Sequence, residues 1–524
     1  MEAYTKINLK RIAVAFGLIL LIPISSCKKM EEERINTDTK KLEHGPYVAG
    51  SYITGMMQSI IKSNPEWWAQ LQQNLNADVY SGFMASGTAF NGGTNNTTYF
   101  MMDGWNGFVA STPYDYVLNP WLDVRKETFE TEKELYAISL IIKVSAAHRL
   151  TDAFGPIPYT QLGTGTAPAF DSQETIYNAF FKDLKDAVDI LTTAEKKDEK
   201  IDQLKFAPYD VSTFGGDFKL WVQYANSLRL RLAMRISNVK SDVAKTEAEA
   251  AIAHEFGLLE STPFAVSCGT NYLGTVSGIW KDIQLNANME CYLNGYKDPR
   301  AAKYAKLATA PASIAGTIRG IRNGIDVLDK DYKGHSLLNF GQSDRVLLMT
   351  AAESFFLRAE AALNGWDTKG GSPQSFYEKG VSASFDQYGL GGVANYLTNT
   401  DKPTAYVDVV NAANSAQSPS TVTVKWDDAL SKSEKLEKII TQKWIALFPE
   451  GMEAWSEFRR TTYPKLFPVL KNDSQGDIPA GQFIRRLTYP SFFTSSNGKG
   501  VAEAVSKYLG GPDKMSTPLW WDKN

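Results

Sequence analysis

The segment Asn91 to Gly107, NGGTNNTTYFMMDGWNG, gathers side chains suited to holding a ligand into one short stretch. Gly92 and Gly93 free the backbone, Asn91, Asn95 and Asn96 present amide donors and acceptors together, and Tyr99, Phe100 and Trp105 present flat faces. Sugars bind through C–H surfaces laid on aromatic rings, with polar side chains at the hydroxyls. Peptides use similar rings for side chains and amides for the backbone. Tyr272 and Trp280, from the next long loop, form a second set of candidates. The same residues suit a packing role equally well, with Trp105 and Phe100 plugging the loop onto its helices. Trp67 and Trp68 open a helical pattern, and one of them is expected in the core.

Bond-making chemistry finds less support. GxSxG, GxGxxG and the P-loop pattern are absent. Asp329-Lys330-Asp331 followed by Gly334 opens like a calcium loop, but Lys333 takes its fifth position and Phe340 its twelfth. A cation repels calcium and a phenyl ring cannot replace a bidentate glutamate. Asp427-Asp428 could be drafted into glycoside hydrolysis, which uses two acids several Å apart, yet adjacent acids on a polar stretch read as solvated surface. His44, His148, His254 and His335 show no HExxH or paired spacing. No catalytic residue, cofactor or metal is therefore assigned. Cys268 and Cys291 match no metal motif, and their pairing is left open.

The third cysteine has a different context. Lys6, Lys10 and Arg11 precede the apolar run Ile12 to Ile22, which has the form of a secretory signal and is too short to span a bilayer. Ile24-Ser25-Ser26-Cys27 then resembles a bacterial lipobox, in which the thiol of Cys27 is acylated and becomes the first mature residue. No other segment is apolar for the 18 or so residues that a spanning helix needs, so the expected contact with the membrane is through lipid alone. Lys28 after the cysteine fits passage to the outer membrane. KKMEEE resembles the surface-export signal of Bacteroidetes lipoproteins, and serves equally as a solvated charged leader. The expected division is a signal peptide over residues 1–26, a lipidated leader over 27–45, and a single domain over 46–524.

Formal charge is −3, and removal of Lys6, Lys10, Arg11 and Glu2 takes away a net +2 and leaves −5. An acidic balance spread over so long a chain gives no electrostatic reason to bind nucleic acid. Most long segments carry helical periodicity. In KLWVQYANSLRLRLAMRI, Leu220, Tyr224, Leu228, Leu232 and Ile236 fall at four-residue steps, with Gln223, Asn226 and Arg229 off the stripe. In VLLMTAAESFFLRAEAALNGW, Leu348, Ala352, Phe355, Ala359 and Ala362 mix small and large residues so that another helix can approach, and Gly365 supplies a stop. Further helical patterns cover roughly 46–63, 66–85, 131–152, 173–194, 243–256, 373–388 and 434–460. Long irregular stretches are expected over Ser86 to Asn119, Pro263 to Ile279, Ala308 to Gln342 and Gly389 to Val424.

Five stretches taken together resemble the SusD/RagB family of nutrient-binding outer-membrane lipoproteins. They are TDAFGPIPY (Thr151 to Tyr159), WVQYANSLRLRLAMRIS (Trp221 to Ser237), LRAEAALNGW (Leu357 to Trp366), QKWIALFPEGMEAWSEFRRTTYPKL (Gln442 to Leu466) and RRLTYP (Arg485 to Pro490). The resemblance implies a mainly α fold, with four helix hairpins like tetratricopeptide repeats supporting a loop-rich ligand-binding half. It also implies capture of oligosaccharides or oligopeptides at the cell surface, and a partner, a TonB-dependent transporter of the SusC type, over which the lipoprotein sits as a lid. A secreted, envelope-anchored hydrolase and a structural envelope lipoprotein without ligand are the alternatives. Arg459, Arg460, Arg485 and Arg486, with Tyr463 and Tyr489, are expected to bond carbonyl groups where chain segments meet rather than to touch ligand.

Overall fold

A computed structural model describes residues 46–165, 167–197, 201–327 and 331–524. Cys27, the signal, the leader, and Asp329 and Lys330 of the rejected calcium loop lie outside the described residues. Residues Ala49–Asn524 form one compact unit.

The longer helices are α1 (Pro46–Ser59), α2 (Glu66–Ala69, continued as a π-helix over Gln70–Asp78), α3 (Asp103–Pro113), α4 (Asn119–Thr128), α5 (Lys133–Phe154), α6 (Gln173–Glu195), α7 (Phe218–Arg235), α8 (Ser241–Ala253), α9 (Ala351–Leu363), α10 (Pro373–Gln387), α11 (Lys432–Leu447), α12 (Gly451–Thr461) and α13 (Ser491–Lys507). Helices adjacent in sequence pack as pairs, α5 on α6, α7 on α8, α9 on α10 and α11 on α12. The chain is thus mainly helical and built from helix hairpins. Two short antiparallel ladders sit among the loops, β1 (Met84–Ser86) with β3 (Ile283–Leu285) and β2 (Phe264–Val266) with β4 (Val346–Met349).

Local chemistry starts several of these helices. Ser172, Asp217, Thr350 and Ser431 accept from the backbone N–H three residues on, at 3.0 to 3.3 Å, and Ser431 with Glu434 closes a capping box. The small residues expected to admit a neighbour on α9 do so, and the partner contributes as well. A Cβ at Gly380 of α10 would lie 2.8 Å from the ring of Phe356. The α7 stripe is buried from Tyr224 to Ile236, but Asn226 and Arg229 are buried too. The reason is that α7 packs against α6, α8 and α9 and has no free face. Asn226 donates to the carbonyl of Gly257 at 3.1 Å, and Arg229 pairs with Glu247 of α8 at 2.5 Å.

The helix pairs meet at a buried ionic hub. Arg231 forks onto Glu353 at 2.6 and 2.7 Å, Arg235 reaches Glu453 at 2.6 Å, and Arg460 forks onto Glu360 at 2.7 Å and also holds Glu457 at 2.7 Å. Lys443 of α11 stands 3.0 Å from Glu457, 3.5 Å from Glu453 and 3.9 Å from Glu353. All eight side chains are excluded from solvent, and the four cations balance the four carboxylates. Burial raises the pKa of Glu457, but Arg460, Lys443 and Arg235 more than reverse this and hold it well below the usual carboxylate range.

The arginine forks behave as the sequence suggests at Arg459 and Arg486. Arg459 donates to the carbonyls of Asp152 and Arg485 at 2.7 and 2.8 Å, Arg486 donates to the carbonyl of Phe154 at 2.9 Å, and the Tyr489 hydroxyl donates to Pro156 at 2.6 Å. The end of α5 and the TDAFGPIPY turn are therefore clamped from the C-terminal side. Arg460 is used on carboxylates instead, and Arg485 on Asp522 and the carbonyl of Asn524.

Several expected boundaries shift. The 434–460 pattern is two helices, because Pro449 lacks the N–H needed to continue α11. The stretch expected to be irregular from Ser86 to Asn119 contains α3. Its glycines hide the periodicity, but Val109, Ala110 and Pro113 supply a buried face that packs on the π-turn of α2. Pro263 to Ile279 holds β2 and a short helix, Tyr272–Val276. α13 was not expected, since its SSNGKG centre breaks the pattern where the helix itself kinks at Asn497.

Candidate functional site

The predicted loop divides into a buried frame and an exposed edge. The Asn95 side-chain Oδ1 accepts from the Thr97 N–H at 2.9 Å and the Thr97 hydroxyl at 2.8 Å, while its Nδ2 donates to the carbonyl of Phe90 at 2.8 Å. Asn96 donates to Asn76 and to Asn106 and accepts from the Met102 N–H at 2.8 Å. Both are buried, so their amides are spent on shaping the loop rather than on a ligand. Tyr99 is buried in a left-handed turn, φ 66°, with its ring 6.1 Å from Tyr80. Tyr272 is buried as well, its hydroxyl donating to Asp78 at 3.0 Å. In this structure these four, read from the sequence as ligand contacts, are buried and support the loops from within. Asn91 is exposed, and Phe100 and Trp105 are half-buried.

What reaches the surface is a row of rings. Phe90 meets the edge of Trp105 at 6.0 Å. Trp105 and Phe108 lie three residues apart on α3, and so on one helix face. Phe108 then stands edge-on to Trp67 at 5.5 Å and to Trp68 at 5.0 Å, and Trp68 edge-on to Tyr116 at 5.6 Å. Trp67 is 41% exposed. Neither member of the Trp67-Trp68 pair is core, contrary to expectation, although Trp68 is anchored by an indole N–H bond of 2.7 Å to the Thr112 hydroxyl. Trp280, 40% exposed, hangs from the same region. Its N–H donates to the carbonyl of Thr275 at 2.9 Å, and the Thr275 hydroxyl lies 3.4 Å from the Glu66 carboxylate beside Trp67. Phe90, Phe108, Trp67, Trp68 and Tyr116, which the sequence reading did not name as candidates, complete the row. The available signals were the Trp-Trp dipeptide and the i, i+3 spacing of Trp105 and Phe108.

The strip is seated on polar joints. Asp78, at the end of the α2 π-turn, accepts from Gln73 at 2.9 Å, Asn74 at 3.1 Å and Tyr272 at 3.0 Å, which fixes the loop carrying Trp280 to the helix carrying Trp67. Burial pushes the Asp78 carboxyl up to about 6, held back by the two amides and raised further by Glu450. Beside the strip lies a cavity of about 380 Å³, walled by Tyr52, Gln58, Lys62, Asn64, Tyr116 and Cys268.

Other candidates resolve into structure. Asp428 accepts from the Trp426 indole at 2.8 Å and Asp427 from the Ala429 N–H at 2.9 Å, so each caps its own loop. A larger cavity of about 530 Å³ beside them is lined by Glu434 and Glu437, whose carboxylates are taken by Ser431 and Ser420. Cys268 and Cys291 are both buried and free. Among the described residues no cluster of three or more potential metal ligands occurs, and no helix is long and apolar enough to cross a membrane.

The sequence profile of SusD-like proteins, described as SusD and RagB outer membrane lipoproteins, matches residues 29–522. A chitin-binding SusD homologue from Flavobacterium johnsoniae is 44% identical, with a TM-score of 0.86 over 91% of this chain and 99% of its own. SusD homologues from Bacteroides uniformis and Bacteroides vulgatus are each 37% identical. The first superposes with a TM-score of 0.83 over 91% of this chain and 100% of its own, the second with 0.85 over 90% and 98%. No match is found among curated proteins. With the profile spanning the domain and the helix-hairpin fold shared throughout, the chain belongs to the SusD-like family of outer membrane lipoproteins.

Proposed function

We propose that this lipoprotein captures a glycan oligomer at the cell surface along the aromatic strip and hands it to a TonB-dependent transporter of the SusC type. One observation carries the reading: Trp67 and Trp280 both stand exposed, joined through the Glu66–Thr275 contact, and Trp67 meets a row of half-buried rings at Phe108. Rings of this size are normally buried for stability, and their exposure together suits stacking against the C–H faces of sugars. The chitin-binding relative supports an oligomer of N-acetylated amino sugars as the ligand. Family membership and the lipobox cysteine, Cys27, support anchoring by lipid and the transporter partner. No chemical step on the ligand is proposed.

Calorimetric titration of the purified protein with chitin oligomers, neutral glucans and peptide mixtures tests the ligand. Trp67→Ala and Trp280→Ala are each expected to weaken oligomer binding by about fivefold, the equivalent of about 1 kcal/mol for a stacking contact. Peptide binding with no glycan response overturns the ligand, and unchanged affinity in both variants overturns the site. Co-purification from membranes with a TonB-dependent barrel tests the partner.

A further inference from the structure

Lys62 lies where the strip meets the neighbouring cavity. Its Nζ stands 4.0 Å from the centre of the Tyr116 ring and 5.4 Å from that of Trp68, and it lines the cavity of about 380 Å³ with Tyr52, Gln58 and Asn64. Its backbone is fixed, the N–H donating to the Gln72 side chain at 2.9 Å. Among the described residues no carboxylate lies within 4.0 Å of Nζ. Burial lowers the pKa of Lys62, and the Cys268 thiol acts against that, but burial pushes the thiol itself up to about 12 and so keeps it neutral. A half-buried cation set among rings, amides, hydroxyls and a neutral thiol, with no carboxylate beside it, is open to an oxygen from outside and hostile to a second cation. The cavity is within the size range of small-molecule sites.

We propose that Lys62 reads the nitrogen substituent of an amino sugar lying on the strip, donating to the oxygen of an acetamido group and repelling the ammonium of a deacetylated residue. This rests on the glycan reading above and goes further, since stacking alone does not distinguish the two sugars. Rings present the same face to both. The charge at Lys62 does not.

The test is paired titration with a chitin oligomer and its fully deacetylated counterpart of equal length, at a pH where the free amine is protonated. The unaltered protein is expected to favour the acetylated oligomer by at least about tenfold. Lys62→Gln should shrink that ratio severalfold by weakening the acetylated ligand and strengthening the deacetylated one, and Lys62→Glu should bring the two near equality or invert them. Thermal melting of each variant verifies folding, and Lys62→Met is the replacement if either melts early. A preference unchanged by these substitutions overturns the proposal while leaving the strip intact. Equal binding of both oligomers by the unaltered protein also overturns it, and binding of neither removes the glycan reading together with the inference.

Discussion

Replacing Asp78 by asparagine tests the joint between the helix carrying Trp67 and the loop carrying Trp280. The carboxyl is fully buried and titrates at about 6 instead of 3.8, because burial opposes its charge more than its amide donors favour it. Holding the ionised form in the fold therefore costs about 3 kcal/mol. The sign follows from linkage. A carboxyl with a raised folded-state pKa binds protons more readily folded than unfolded, so its contribution is fully favourable below pH 3.8 and is lost as pH rises through 6. Asparagine keeps the shape and removes the titration, but it leaves one of the three donors, Gln73, Asn74 or Tyr272, without an acceptor at a cost of about 1 kcal/mol. Asp78→Asn should thus be slightly destabilising near pH 4 and stabilising by about 2 kcal/mol at pH 7. Urea unfolding of both proteins from pH 4 to 7, expressed as their difference, isolates this group from all others. A difference that stays flat across that range would show that Asp78 does not carry the strained charge, and the argument for the joint would fail.

Lys443→Met leaves the hub one cation short, with Glu353, Glu453 and Glu457 facing it, and is expected to cost about 3 to 5 kcal/mol. Urea unfolding measures it, and a loss below 1 kcal/mol would show that the hub is more hydrated than its burial implies. Trp105→Ala, at a half-buried ring, should weaken glycan binding by about fivefold while lowering stability by less than the roughly 3 to 5 kcal/mol of a core tryptophan. A large melting shift with intact affinity would make Trp105 a plug. Cys27→Ala should move the protein from the membrane fraction to the soluble fraction, and retained acylation would refute the lipid anchor.

The helical layer was legible because its periodicities are long and its termini carry caps, as at Ser431 and Thr350. The arginine forks were legible because guanidinium geometry suits carbonyl-rich crossings, as Arg459 and Arg486 show. The site was legible only in outline. Asn95 and Asn96 looked like ligand donors because a sequence shows an amide but not what it already bonds. The same holds for Tyr272, whose hydroxyl is committed to Asp78 some 200 positions away in the chain. Phe108 and Tyr116 were passed over since their exposure depends on how α3 lies against α2, a tertiary fact with no local signature. Trp105 and Trp280 are partly exposed, since a large ring in a glycine-rich or loop setting has few neighbours in sequence to cover it.

The eight hub residues and the rings of the strip have no member in common. One set locks the helices by charge, and the other lies on α2, α3 and the short turns and loops beside them, which the lock does not use. A library that randomises Phe90, Trp67, Phe108, Tyr116 and Trp280 should therefore yield mostly folded clones with altered ligand range. The same number of random changes in the hub should yield almost none. Selection on such a chain can explore new diets at its surface while its interior stays unchanged.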